Sequence, residues 1–156
     1  MPTTVVEQIA TELETRLGNI TNVTEVVRAT VKGGYKVQNR QVVLAFSDLE
    51  RVPELSQPGN PPATAWVQRF NVHCHIVQSE TATESADELI STMAADAIIA
   101  MATSSDAQPW QTFGGLAIDA QFEAQENLES ENFDGVNVPI AITFRTDEDN
   151  PYTARG

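Results

Sequence analysis

AWVQRFNVHCHIVQ, residues 65–78, alternates with a period of two. Trp66, Phe70, Val72, Cys74 and Ile76 fall on one side, interrupted by Gln68. Val67, Arg69, Asn71, His73, His75 and Val77 fall on the other. Successive side chains of a strand point to opposite faces, so the pattern predicts a strand with its first face on a core. The second face reads as a partly exposed polar surface.

Toward the C-terminus, a helix follows. Ser85 and Glu88 form a capping box. Leu89, Ile90, Met93, Ala94, Ala97, Ile98 and Met101 give a wide apolar face, and the alanines allow close approach to a sheet. Ser104-Ser105-Asp106 and Pro109 end the helix. After the linker 110–115, Leu116, Ile118, Ala120 and Phe122 alternate with Asp119, Gln121 and Glu123, as in a strand with one wet face. The acidic segment 126–134 reads as a loop or turn. Val136, Val138, Ile140, Ile142 and Phe144 alternate as a last strand, in which Pro139 suggests an edge position or a bulge. Residues 147–156 read as a polar, mobile tail.

Toward the N-terminus lies a proline-rich loop, residues 48–65, with Pro53, Pro58, Pro61 and Pro62 around Gly59. Proline lacks the donor that a central ladder needs, and a loop of that length in a small domain is more often functional than decorative. Two β-branched runs precede it, 23–31 and 37–46, broken by Gly33-Gly34 in the manner of a hairpin and expected to pair. The chain opens on a helix. Thr4 and Glu7 form its capping box, Val6, Ile9, Leu13 and Leu17 give its face, and Gly18-Asn19 offers a left-handed stop. The order is helix, three strands, helix, two strands. Without βαβα alternation this predicts an α+β fold, a mostly antiparallel sheet with both helices on one face. A length of 156 residues fits one domain, 1–146, followed by the tail.

Composition narrows the function. Hydrophobic residues make up 41%, enough for a core and too many for wholesale disorder. The net charge is −13, with 22 acidic and nine basic side chains. Residues 1–78 hold seven of each, whereas residues 79–156 hold fifteen acids against Arg145 and Arg155. Neither a phosphate backbone nor an anionic membrane is a fitting partner for such a chain. Cys74 is the single cysteine, so no disulfide forms within the chain. The start lacks the charged and apolar regions of a signal peptide, and no run reaches the length of a membrane span. The glycosylation patterns at Asn19 and Asn22 read as coincidence, and the expected place of synthesis is the cytosol.

The search for chemistry yields little. His73 and His75 share one strand face, but Cys74 points away from them, and a zinc site needs three or four convergent ligands. No metal or cofactor is assigned. Cys74 lies on the apolar face, which favours a buried thiol over a nucleophile. The sequence holds no nucleophile elbow, HExxH, phosphate loop or dinucleotide fingerprint, and no catalytic residue is assigned. Gly33-Gly34 and Gly114-Gly115 read as turns. The carboxylates around Glu126, Glu129 and Glu131, and at Asp147, Glu148 and Asp149, lack the spacing of a calcium loop and read as a solvated surface. Glu84, Asp87 and Glu88 suit the dipole of the second helix. Trp110 and Phe113 fit either an interface or a plug at the end of the core.

The element order, the size and the ending Val138-Pro139-Ile140-Ala141-Ile142-Thr143-Phe144-Arg145-Thr146, followed by Asp149-Asn150-Pro151, resemble phage tail terminator proteins of the lambda type. These are also called tail completion or minor tail proteins. The likeness runs along nearly the whole chain in order and has its specific motif only at the last strand. The resemblance implies a non-enzymatic virion protein, assembled in the host cytoplasm, that forms a ring, commonly a hexamer. The ring caps the tail tube, ends its polymerisation and docks the head. Its implied partners are copies of itself, the tail tube protein and a head–neck connector, while DNA passes through without specific binding. On this reading the interface candidates are Pro58, Pro61, Pro62, Trp110, Phe113 and Arg145. Acids facing a channel would repel DNA, and the candidates are Asp119, Glu123, Glu126, Glu129, Asp147 and Asp149. A neighbouring connector or tail-tube role, in a phage or as the equivalent part of a contractile injection machine, is the alternative, and a small metal-binding protein or enzyme using His73 and His75 is the third reading.

Overall fold

A computed structural model of the chain describes residues 3–20, 23–28, 39–58, 62–77, 86–102, 116–129, 134–147 and 150–155, leaving the side chains of 86, 87, 129 and 151–155 undescribed. The elements are α1 (Val5–Leu17), β1 (Glu25–Arg28), β2 (Gln41–Arg51), β3 (Ala63–Ile76), α2 (Ala86–Ala102), β4 (Asp119–Phe122), β5 (Glu126–Glu129), β6 (Asp134–Asn137), β7 (Ile140–Asp147) and β8 (Asn150–Arg155). The fold is α+β, with one mixed, mostly antiparallel sheet.

β3 organises the sheet. β2 pairs with one side of it, from Gln41↔His75 to Arg51↔Trp66. β7 and β6 pair with the other side, from Ala63↔Asp147 to Ile76↔Asp134. The apolar face of β3 is the core face, as its alternation implies. Phe70, Val72, Cys74 and Ile76 are buried there beside Val42 and Leu44 of β2 and Val136, Ile140, Ile142 and Phe144 of the last strands. Ile9, Leu13 and Leu17 of α1 and Met93, Ala97 and Met101 of α2 complete this one cluster, so both helices lie on the same face. Burying each large apolar side chain contributes about 1.5–3 kcal/mol, and most of the fold's stability resides in this layer.

The first helix starts where its capping box predicts. Thr4 is extended, and its Oγ1 accepts from the Glu7 N–H at 3.1 Å. The stop differs from the expected left-handed one. Gly18 is right-handed (φ −65°) and donates its N–H to the Glu14 carbonyl at 2.9 Å, while Asn19 donates to the Arg16 carbonyl at 3.1 Å, a tightened last turn rather than a reversal. Arg16, nearly buried, ion-pairs with Glu12 at 3.0 Å and donates to the Met101 carbonyl at 2.9 Å. It thereby ties the end of α1 to the end of α2. The capping residue Ser85 lies outside the described residues.

Five expectations are corrected. First, β1 and β2 pair in parallel, from Glu25↔Gln41 to Arg28↔Leu44, and are no hairpin about Gly33-Gly34. Residues 29–40 supply the roughly dozen positions that a parallel crossover needs, and 29–38 lie outside the described residues. Second, the proline-rich loop is shorter. β2 runs on to Arg51 and β3 begins at Ala63, leaving residues 52–62 with a 3-10 turn at Pro53–Leu55. Third, the acidic segment forms β5 and the start of β6, paired from Glu126↔Asn137 to Glu129↔Asp134. Glu126 and Asn127 are exposed on an edge strand, where acidic side chains keep their water. Fourth, the last strand is interrupted at 138–139 without losing register, since Asn137↔His73 and Ile140↔Phe70 continue one ladder. Pro139 lacks an N–H, while Val138 still donates to the Val72 carbonyl at 2.9 Å. Fifth, the tail forms β8 against β7, with Arg145↔Arg155 and Thr146↔Ala154.

Candidate functional site

The face of the sheet away from the helices holds the two histidines. His75 is 1% exposed, against the expectation of a partly exposed polar face. Two local features account for this. Gly135 lies opposite it, and a Cβ there would sit 2.5 Å from the Cys74 carbonyl oxygen and 3.4 Å from His75 Cδ2. Glycine thus lets β6 and the imidazole pack closely. Gln41, also buried, places Oε1 3.1 Å from His75 Nδ1 and donates Nε2 to Glu25 at 2.8 Å. With the amide oriented by Glu25, its oxygen faces the ring, so Nδ1 is the donor. Burial lowers the pKa of both histidines, and the charge of His73 lowers that of His75 further.

These groups do not make a metal centre or a nucleophile. The two rings lie 6.4 Å apart, with His75 engaged by Gln41. Among the described residues no three His, Cys, Asp or Glu side chains converge. Cys74 is buried on the opposite face, and desolvation pushes its thiol up to about 12. A thiol so disposed is a small core side chain. An open cleft of about 390 Å³ between α2 and β5–β6 is lined by Ile90, Ser91, Ala94, Gln125, Asn127 and Val136, none of them ionisable.

Lower on the same face the surface is ionic. Arg69 of β3 reaches Glu50 of β2 at 3.1 Å and Glu123, just beyond β4, at 3.3 Å. Ala141 of β7 lies between, paired with both Arg69 and Gln121, and its small side chain leaves the guanidinium room to cross. The hydrogen bond to Glu50 holds the Arg69 pKa above its usual value, against partial desolvation. Asp119, Glu123 and Glu126 are exposed along β4–β5 as one acidic run. Asp147 closes β7 half-buried, and Asp149 and the Glu129 side chain lie outside the described residues.

Arg145 has a partner within its own chain. Its Nε donates to the Leu55 carbonyl at 2.8 Å and holds the 3-10 turn against the sheet. Ala63 and Ala65, small and buried on that face, form part of the floor beneath the loop. Ser56 Oγ accepts from the Ala65 N–H at 3.0 Å. Pro58 is exposed and Pro62 half-buried in this anchored loop, while Pro61, Trp110 and Phe113 lie outside the described residues.

The feature that alternation alone misses is at β2. Its ladder with β3 shifts between Phe46↔Phe70 and Leu49↔Gln68. The bulge at Ser47-Asp48 sets Phe46 and Leu49 on the same side, although residues three apart on a regular strand face opposite ways. The buried amide of Gln68 donates to the Ser47 and Asp48 carbonyls at 3.3 and 3.2 Å and so fixes the bulge. Phe46 and Leu49 are 49% and 52% exposed. Phe46 packs edge-on against Phe70, with rings 5.4 Å apart, under the guanidinium of Arg28. Arg28 in turn bonds Glu7 and Glu14 of α1.

No protein-family model matches the chain, and no curated protein matches it. Among the described residues no helix is long and apolar enough to cross a membrane.

Proposed function

We propose that the chain is a structural virion protein, a subunit of a ring that caps a phage tail tube, ends its polymerisation and provides the head-docking surface. The observation that carries this reading is the setting of the terminator-like ending. Residues 138–146 pack along β3, the central strand that leads into α2, and then turn back as β8. A site made of sheet edges, an anchored loop and ionic side chains suits assembly better than catalysis. The acidic run Asp119, Glu123 and Glu126, turned toward a lumen, would keep DNA from adhering during passage.

Deleting the gene tests the proposal. The expected result is overlong tail tubes without heads, with the chain at the head-proximal end of wild-type tubes. Tails of normal length that fail to join heads would overturn it in favour of a connector.

A further inference from the structure

The cleft beside α2 opens onto the outer edge of β5. Its floor is apolar, with Ala94 and Val136 buried and Ile90 half-buried, and its mouth carries the neutral polar side chains of Ser91, Gln125 and Asn127. At about 390 Å³ it is at the small end of the range for ligand sites, room for one large side chain rather than a cofactor. Residues 123–127 are exposed one after another, on both faces of the strand alike, in the folded chain as a whole.

The backbone at this edge has a readable direction. Val138 donates its N–H toward β3, to the Val72 carbonyl, and Pro139 turns its carbonyl the other way, to the Glu123 N–H. By alternation the backbone groups of Asn137 face Glu126, its ladder partner in β5, and those of Asn127 point outward. Asn127 thus presents a backbone N–H and C=O at the mouth of the cleft that its side chain lines. Glu126 projects from the opposite face. It is exposed and holds no ion pair among the described residues, whereas Glu123 is engaged by Arg69.

We propose that the outer edge of β5 takes an extended, basic segment of another protein as an added strand, with one apolar side chain seated in the cleft. The residue opposite Asn127 hydrogen-bonds its backbone groups and points to the helix side, into the cleft. Its neighbour opposite Glu126 points to the other face, where a lysine or arginine meets the carboxylate. Main-chain bonds supply affinity in such strand addition, and the alternating side chains supply selection. A second copy paired through the same edge fits poorly. It would set Asn127 rather than an apolar side chain opposite each cleft and bring two Glu126 carboxylates onto one face. This inference does not rest on the ring reading. It gives Glu126 to a partner instead of a lumen and leaves the capping role as proposed.

The test uses the full chain and two fluorescein-labelled octapeptides, one alternating lysine with valine and one with four lysines followed by four valines. Charge attraction alone binds both equally. Fluorescence anisotropy should show the alternating peptide binding about tenfold tighter or more. Glu126→Lys and Ser91→Tyr, both at exposed positions, should each weaken the alternating peptide by about tenfold, the first by charge and the second by filling the cleft. Asn127→Pro removes the outward N–H and should abolish the preference. Urea midpoints equal to the wild type show that the first two variants are folded.

Equal binding of the two peptides overturns the inference, as does no binding of the alternating one. A preference that survives both Glu126→Lys and Ser91→Tyr places the peptide elsewhere and also overturns it. Self-association of the chain that Glu126→Lys strengthens and the alternating peptide leaves unchanged would give the edge to a second copy instead.

Discussion

β2 contains two opposite environments. Its first four residues, Gln41 to Leu44, are buried on both faces, whereas Phe46 through Arg51 are exposed. The order inverts hydropathy: a glutamine is fully buried while a phenylalanine and a leucine stand half in water. Coverage explains the difference. At the first end α1 and α2 lie over Val42 and Leu44, and Gln41 is satisfied on the other face by His75 and Glu25. At the second end, among the described residues, no strand pairs with the far side of β2, and Phe46 to Arg51 stand exposed. The first end serves stability, and the second adds little to it.

The largest expected effect compares one residue type at the two ends. Leu44→Ala should destabilise the monomer by about 2–5 kcal/mol, since it empties a filled core site. Leu49→Ala should stay within about 0.5 kcal/mol in the monomer, as exposed positions do. Urea unfolding at low protein concentration measures both. Similar losses at the two positions would break the comparison.

Gly135→Ala should cost about 1–3 kcal/mol, because the added methyl meets backbone rather than a yielding side chain. The same unfolding assay measures it, and a neutral result would show that β6 moves away from His75 freely. Gln68→Leu should cost about 1–2 kcal/mol by leaving the bulge carbonyls without the amide. An unchanged urea midpoint would show that the bulge holds without the amide.

The covered part of the molecule was legible in sequence because its signals are local. The capping box at Thr4 and Glu7, the alternation of Phe70 to Ile76 and that of Val136 to Phe144 each lie within one element. The open end depends on partners distant in sequence. Phe46 and Leu49 share a side only because of a bulge held by Gln68, and β5 is a strand only because β6 offers it a ladder. His75 sits in the polar half of an alternating strand, yet a glycine sixty residues later decides its burial. Pairing also made a strand of 150–155, whose composition reads as a tail. Of the site residues expected from sequence, Arg145 proved to anchor the loop, and Asp119, Glu123 and Glu126 proved to share one edge.

The smallest expected effect comes from the histidines beside the covered end. Both have folded-state pKa values below the ordinary 6.5, with burial as the main cause. Above pH 7 both are neutral whether folded or unfolded, and they add no pH dependence. As pH falls through 6.5 the unfolded chain takes up protons that the native chain refuses, so stability drops until the folded values are reached. Each histidine contributes a slope of at most about 1.4 kcal/mol per pH unit. His73→Asn, the less buried of the two, removes its own share and relieves His75 of a neighbouring charge. Urea midpoints at pH 7.5 and 5.5 should differ less in this variant than in the wild type. An equal difference would mean that carboxylates, and not the imidazole pair, set the acid response of the covered end.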